Sequence, residues 1–181
     1  MHWRAAFEFA KQNGKKHMSV VTKANIMKKT DGKFSAICHE IAADYPDIEV
    51  EDFYIDIMTA KLIDVKERSR FSVFVLPNLY GDIITDEAAQ IQGGVGTAGS
   101  ANLGDQYAMF EAIHGTAPQL IRDGLSDYAN PMSIIKASEM LLRHIGCSEK
   151  ADRLSNVLEK LGSGDGLKTA EIAETILHNI G

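Results

Sequence analysis

Apolar segments of two kinds alternate along the first half of this chain, and that alternation restricts the possible folds more than any other feature. Short runs rich in β-branched and aromatic residues predict strands at 17–22, 50–55 and 72–76. Between them, apolar side chains recur at helical spacing at 34–45, and a second helix is predicted at 56–68. Strands that alternate with helices in this way are typical of an α/β fold with a parallel sheet.

The starts of two predicted helices are marked by residue types that favour this position. Asp31 and Asn130 belong to the residue types that cap helix N-termini, and Pro131 is common at a first helical position. A glycine-rich segment at 93–104 changes the composition, so we place a domain boundary near Gly93, between residues 1–93 and 94–181. The remaining predicted elements are helices at 3–14, 82–92, 131–146, 148–161 and 168–180 and a short strand at 107–113.

Charge, hydropathy and cysteine content exclude several classes of protein. The formal net charge of −6, with scattered basic residues, argues against nucleic-acid binding, which needs clustered Lys and Arg. No apolar stretch approaches the length that spans a bilayer, and the N-terminus lacks the hydrophobic region of a signal peptide. Cys38 and Cys147 are too few for a disulfide framework. We therefore expect a cytoplasmic protein with reduced thiols and no membrane partner.

Asp82 and Asp86 form the sharpest local motif. They follow a predicted buried strand and lie four residues apart, which places both carboxylates on one face of a helix. In an α/β sheet, ligands bind beyond the carboxyl ends of the strands, and Mg²⁺ prefers carboxylate oxygens. The alternative is that both are surface residues at a helix N-terminus, stabilised by the helix dipole. Spacing by itself leaves both interpretations open.

Two other motifs are weaker when taken alone. Lys23 directly follows a predicted strand, where a lysine can act as an acid or base, although most lysines are simply exposed. The segment 114–118 has small residues that let backbone amides approach a ligand, but Gly and Pro also mark plain turns. The glycine-rich segment does not match the G-x-G-x-x-G pattern of a Rossmann fold.

Taken in order, the motifs of this chain resemble the isocitrate and isopropylmalate dehydrogenase family. The resemblance runs from about Arg4 to Gly146, and it implies the fold of that family, present here as its C-terminal half. The matching blocks are KANIMK (23–28) with TDG (30–32), NLYGDIITD (78–86), GGVG (93–96), SANLGD (100–105), FEAIHGTAP (110–118), NP (130–131) and MLLRHIG (140–146).

The resemblance also implies roles for individual residues. Residues 1–93 are expected to be part of a small domain for substrate, metal and dimerisation, and 94–181 the C-terminal part of a large cofactor-binding domain. Lys23 matches the catalytic lysine, which also contacts substrate with Asn25. Mg²⁺ or Mn²⁺ is expected on Asp56, Asp82 and Asp86. The cofactor-binding residues implied are His114, Gly115, Thr116, Ala117, Asn130 and Glu111.

The activity that the resemblance implies is metal-dependent oxidative decarboxylation of a 2-hydroxy acid, most simply isocitrate to 2-oxoglutarate. We expect a homodimer with shared active sites, in which Lys23 and Asp56 reach the neighbouring subunit's site. NAD is favoured over NADP because Gln119 and Leu120, after the cofactor loop, carry no charge for a 2′-phosphate. The alternatives are an isopropylmalate or homoisocitrate dehydrogenase, or a non-catalytic truncated or regulatory subunit. The isolated chain is expected to be inactive.

Overall fold

A parallel three-stranded sheet lies at the centre of the first half of the chain. In the computed structural model, which describes residues 2–180, the strands are β1 (His17–Thr22), β2 (Glu49–Tyr54) and β3 (Val73–Val75), in the order β2-β1-β3. The three strands predicted from sequence are present, each within a residue or two of its predicted ends. The α/β class and the parallel sheet are therefore confirmed.

Both faces of this sheet are covered, as the alternation of side chains along a strand requires. Met18 and Val20 of β1 belong to one apolar cluster and Val21 to another. The first cluster includes side chains of the two N-terminal helices, and the second includes side chains of later ones. The helices of this half are α1 (His2–Gln12), α2 (Asp31–Ala42), α3 (Ile55–Ile63), α4 (Val65–Arg68) and α5 (Asn78–Gln92).

Three local predictions in this half are wrong. The helix predicted at 56–68 is broken at Asp64, which is extended and accepts hydrogen bonds from the N–H groups of Lys66 and Glu67. Helix α5 begins at Asn78 rather than Asp82, since the N–H of Gly81 already donates to the carbonyl of Pro77. Asp31 does not cap α2, because its carboxylate accepts a hydrogen bond from the backbone N–H of Lys23 instead.

The chain divides into two compact units, one through Ala88 and the other from Ala89 onwards, so the division lies within α5. The second unit contains an antiparallel pair, β4 (Gly99–Leu103) and β5 (Ala108–Ala112). Its helices are α6 (Pro118–Arg122), α7 (Met132–His144), α8 (Ser148–Leu161) and α9 (Thr169–Ile180), with short 3₁₀ turns at Val95–Thr97 and Ser126–Tyr128. The apolar core of this unit joins α7, α8 and α9.

Strand β4 was not predicted, because its glycine-rich sequence resembles a loop. One of its glycines is required by tertiary packing, because a Cβ on Gly99 would lie 2.6 Å from the backbone nitrogen of Ala137 in α7. The strand therefore packs backbone to backbone on that helix. No helix among residues 2–180 is long and apolar enough to cross a membrane, and the cytoplasmic location stays a prediction.

Candidate functional site

Several of the residues singled out in the sequence lie beyond the carboxyl ends of the parallel strands. Lys23 follows β1, Asp56 lies in the first turn of α3 after β2, and the helix that follows β3 carries Asp82 and Asp86. This is the edge at which α/β sheets bind ligands. The topology therefore gathers the lysine and the three carboxylates at one end of the sheet of the first unit.

Lys23 and Asp56 are in direct contact. The Nζ of Lys23 donates to Oδ1 of Asp56 at 2.6 Å, and the lysine side chain is only about a quarter exposed. Hydrogen bonding by Lys23 is the largest cause that lowers the pKa of Asp56, followed by the backbone N–H of Asp56 itself. The carboxylate is therefore ionised at neutral pH.

The loop after β1 holds the backbone of Lys23 in place. The N–H of Lys23 donates to Oδ2 of Asp31 at 2.8 Å, and the N–H groups of Ile26 and Met27 donate back to the carbonyl of Lys23. Asn25 is exposed within this turn. The contact with Asp31 was missed in the sequence, where an Asp at a helix start is most simply explained as a cap.

Asp82 and Asp86 are both exposed on α5, and among the described residues neither carboxylate has a hydrogen-bond or ion-pair partner. Because α5 begins at Asn78, Asp82 lies beyond the first helical turn, where the stabilising effect of the dipole is concentrated. The helix-dipole explanation is therefore weakened. Two free carboxylates on one face are suitable oxygen ligands for Mg²⁺ or Mn²⁺.

A third carboxylate does not join this pair within one chain. Among the side chains that the structure describes, no three of His, Cys, Asp or Glu are placed to share a metal ion. The delivery of Asp56 from a second chain stays a prediction.

The second unit contains a cavity of about 630 Å³ that brings together five of the six predicted cofactor residues. This volume lies in the usual range of roughly 300–1,000 Å³ for small-molecule sites. The lining residues are Gly96, His114, Gly115, Thr116, Ala117, Leu120, Ile121, Ser126, Ala129 and Asn130. Uncharged backbone and apolar side chains can contact the base and sugar of a nucleotide, so the lining fits part of a nicotinamide dinucleotide.

The loop that forms one wall of this cavity is strained at Ala117. Its φ of 44° makes it the one non-glycine residue in the left-handed region among those described, a conformation that costs an L-residue roughly 1–2 kcal/mol. Ala117 directly precedes α6, whose first residue is Pro118. Nearby, Nδ1 of His114 lies 2.9 Å from the carbonyl oxygen of Gly115.

Asn130 uses its side chain to hold the other wall. Its Nδ2 donates to the carbonyl of Ser163 at 2.8 Å, and its Oδ1 accepts from the N–H of Met132 at 2.9 Å. The amide is thus engaged with the start of α7 and with the loop before α9. A bound cofactor could therefore contact Asn130 only through its backbone or through the hydrogen-bonding positions of its amide that remain free.

Glu111 does not line this cavity. It lies on β5, where its Oε1 accepts from Nδ2 of Asn102 across the hairpin at 2.7 Å. A second cavity in this unit, of about 510 Å³, is lined by Lys136, Glu139 and other residues of α7 and α8 but by none of the predicted site residues.

The family model, the similar sequences and the similar structures all belong to one protein family. The sequence model described as isocitrate/isopropylmalate dehydrogenase matches residues 3–180. The chain is 48% identical over 169 residues to "isocitrate dehydrogenase [NADP]" of Rickettsia felis, and 39% identical over 170 residues to "probable isocitrate dehydrogenase [NAD] subunit alpha, mitochondrial" of Caenorhabditis elegans. A crystal structure of isocitrate dehydrogenase from Methylococcus capsulatus superposes with a TM-score of 0.90 at 36% identity.

These alignments cover nearly all of this chain but only part of each relative. They include 93% of this chain and 34% of the Rickettsia protein, and 94% of this chain and 46% of the Caenorhabditis protein. For the Methylococcus structure the shares are 98% and 54%. The chain thus spans about a third to a half of the length of the relatives it matches.

Proposed function

Because the chain belongs to the isocitrate/isopropylmalate dehydrogenase family, we propose that it carries part of the active site of a metal-dependent dehydrogenase that converts isocitrate to 2-oxoglutarate and CO₂ with NAD. The observation that carries this proposal is the grouping of Lys23, Asp56, Asp82 and Asp86 beyond the carboxyl ends of one parallel sheet, with Lys23 bound to Asp56. The family resemblance gives these groups their roles.

In this reaction, the substrate loses a hydroxyl proton and a hydride, then loses CO₂, and the resulting enolate takes up a proton at carbon. When bound, the divalent cation polarises the hydroxyl and stabilises the enolate as a Lewis acid, and the nicotinamide accepts the hydride. Asp82 and Asp86, with Asp56 of a second chain, would hold the cation. The ammonium group of Lys23 lies in this region and donates a hydrogen bond to Asp56, and such a group can exchange a proton with the substrate.

NAD is favoured over NADP by the residues around the cavity. None of the described residues that line it is Lys or Arg, whereas a 2′-phosphate is usually bound by such side chains. Arg122 lies close in sequence, but its Nη2 donates to Oε1 of Gln119, whose Nε2 donates to Asp123. NADP is the alternative, in keeping with the cofactor printed for the Rickettsia relative.

Isopropylmalate is an alternative substrate, since the family model covers isopropylmalate dehydrogenases as well, and homoisocitrate is the other alternative that the sequence leaves open. A non-catalytic regulatory subunit is disfavoured, because the positions of the lysine and of the three metal carboxylates all hold competent residues.

We also propose a homodimer in which Lys23 and Asp56 enter the neighbouring site together. Their contact at 2.6 Å supports joint delivery. Large aliphatic side chains exposed in the first unit, among them Ile26, Ile63 and Leu79, supply apolar surface for such an interface.

Steady-state kinetics on the full-length protein test this proposal. With Mg²⁺, we expect isocitrate and NAD to give the highest kcat/KM, above isopropylmalate and above NADP. Asp82→Asn should abolish most of the turnover, while Asp44→Asn, which removes an exposed carboxylate paired with Arg4, should not. A higher kcat/KM with isopropylmalate or with NADP would contradict the assigned substrate or cofactor, and turnover unaffected by Asp82→Asn would contradict the metal site.

A further inference from the structure

Asp31 is a buried carboxylate that the proposed chemistry does not use. It is 7% exposed, and it is the one charged residue among the buried side chains that the structure describes. Removing a carboxylate from water is costly unless hydrogen bonds or an opposite charge compensate it. The groups that compensate Asp31 therefore indicate what this residue holds in place.

Hydrogen-bond donors provide that compensation. Oδ2 accepts from the backbone N–H of Lys23 at 2.8 Å, and Oδ1 accepts from the hydroxyl of Thr30 at 3.0 Å. In the part of the chain that the structure describes, no Lys, Arg or His forms an ion pair with Asp31. The charge is thus stabilised by donors, and hydrogen bonds to an ionised acceptor are stronger than neutral ones.

The most informative of these donors is the backbone of Lys23. It lies where β1 ends, and the turn that follows is closed by hydrogen bonds from Met27 to Lys23 and from Asp31 to Met27. With the Asp31 carboxylate bound back to Lys23, the segment 23–31 is joined at both ends. The backbone from which the Lys23 side chain extends is therefore fixed, and Nζ reaches Asp56 from that fixed point.

We propose that Asp31 is a positioning residue for Lys23, whose carboxylate fixes the point at which Lys23 leaves the sheet and so keeps Nζ on Asp56 and directed towards the substrate region. The inference rests on the proposed role of Lys23 in proton transfer. Asp31 itself exchanges no proton with substrate; it acts through the backbone of the lysine.

Hydrogen–deuterium exchange on the full-length protein tests this directly. A hydrogen bond to a charged acceptor is stronger than one to a neutral acceptor, so Asp31→Ala should speed exchange in the 22–31 segment by roughly 10-fold or more. Asp31→Asn retains one carbonyl oxygen for the N–H of Lys23 and should give a smaller increase. Amides of β1 at Met18 and Val20 should be unaffected, and Asp44→Ala, which removes an exposed carboxylate, should change neither region.

A purely structural role would give a different pattern, in which β1 and the 22–31 segment exchange faster together. That pattern, or unchanged exchange in 22–31, would overturn the proposal. If Asp31→Ala does not fold, Asp31→Asn decides: faster exchange confined to 22–31 supports positioning, and exchange equal to wild type refutes it.

Kinetics add a second measurement. Misplacing a reacting group by about 1 Å can cost on the order of 100-fold in rate. Asp31→Asn should therefore lower kcat, by roughly 10-fold or more, and leave the KM for NAD within about twofold of wild type. Absence of turnover in the wild type would refute the proposed function while the exchange data still decide the role of Asp31. Normal turnover with unchanged kcat and exchange in Asp31→Asn would refute the positioning role alone.

Discussion

Asp56 accepts hydrogen bonds from the ammonium of Lys23 and from backbone N–H groups at the start of α3. Both kinds of donor favour the ionised carboxylate, so its pKa in the folded protein lies below the usual value for aspartate. A carboxylate of this kind stabilises the fold at any pH above its unfolded pKa, and that contribution disappears as pH falls through the folded pKa.

This linkage predicts a pH-dependent effect of Asp56→Asn on stability. The variant should unfold at a lower urea concentration than wild type at pH 7, since it lacks the charge that Lys23 binds. The difference in free energy of unfolding between wild type and variant should shrink below about pH 4, because Asp56 then becomes protonated in the unfolded wild-type chain. Urea titrations followed by circular dichroism at a series of pH values measure it. A difference of constant size down to pH 3 would show that the ion pair contributes nothing.

Other single residues show what the sequence could and could not foretell about the site. The i, i+4 spacing of Asp82 and Asp86 is a local property, so their shared helical face was predictable. Lys23 is bound to Asp31 through its backbone N–H and to Asp56 through Nζ, and these partners lie eight and 33 residues away in the sequence. These contacts depend on how the chain returns to the same edge of the sheet, and no local pattern specifies them.

At the scale of the secondary-structure elements, the strands of the parallel sheet could be predicted because each is a short run of consecutive apolar residues. Strand β4 lacks that character: none of its residues is fully buried, and its first residue is a glycine. Its position depends on the close approach of α7. The helix break at Asp64 could not be predicted from the sequence either, since an Asp can lie within a helix as well as cap one.

The packing of β4 on α7 predicts a specific cost for Gly99→Ala. The added Cβ would lie 2.6–2.9 Å from backbone atoms of Lys136 and Ala137, which cannot rotate away. We expect the free energy of unfolding to fall by about 1–3 kcal/mol, as for other overpacked interiors. Gly115→Ala is the matched control, because the same methyl group there meets no atom within 4 Å. Thermal and urea denaturation should separate the two variants, and equal stability would contradict the close approach.

At the scale of the whole molecule, the chain supplies two sets of groups in two compact units. The lysine and the carboxylates lie in the first, and the cavity proposed for the cofactor lies in the second. Lys23 and Asp56 bind each other, while the carboxylates of Asp82 and Asp86 have no partner among the described residues. This division of the polar groups is what a shared site would require, in which one chain gives the lysine and its neighbour gives the carboxylate pair.

Complementation between two inactive variants tests this account most directly. Full-length Lys23→Ala and Asp82→Asn should each lack isocitrate-dependent NADH formation in the presence of Mg²⁺. In a mixed dimer, one site would receive the intact lysine from one chain and the intact carboxylate from the other. Co-refolding equal amounts should then restore roughly a quarter of the wild-type activity, since half of the dimers are mixed and each has one intact site. If the mixture forms mixed dimers and still shows no activity, Lys23 and Asp82 act within one chain and the shared site is refuted.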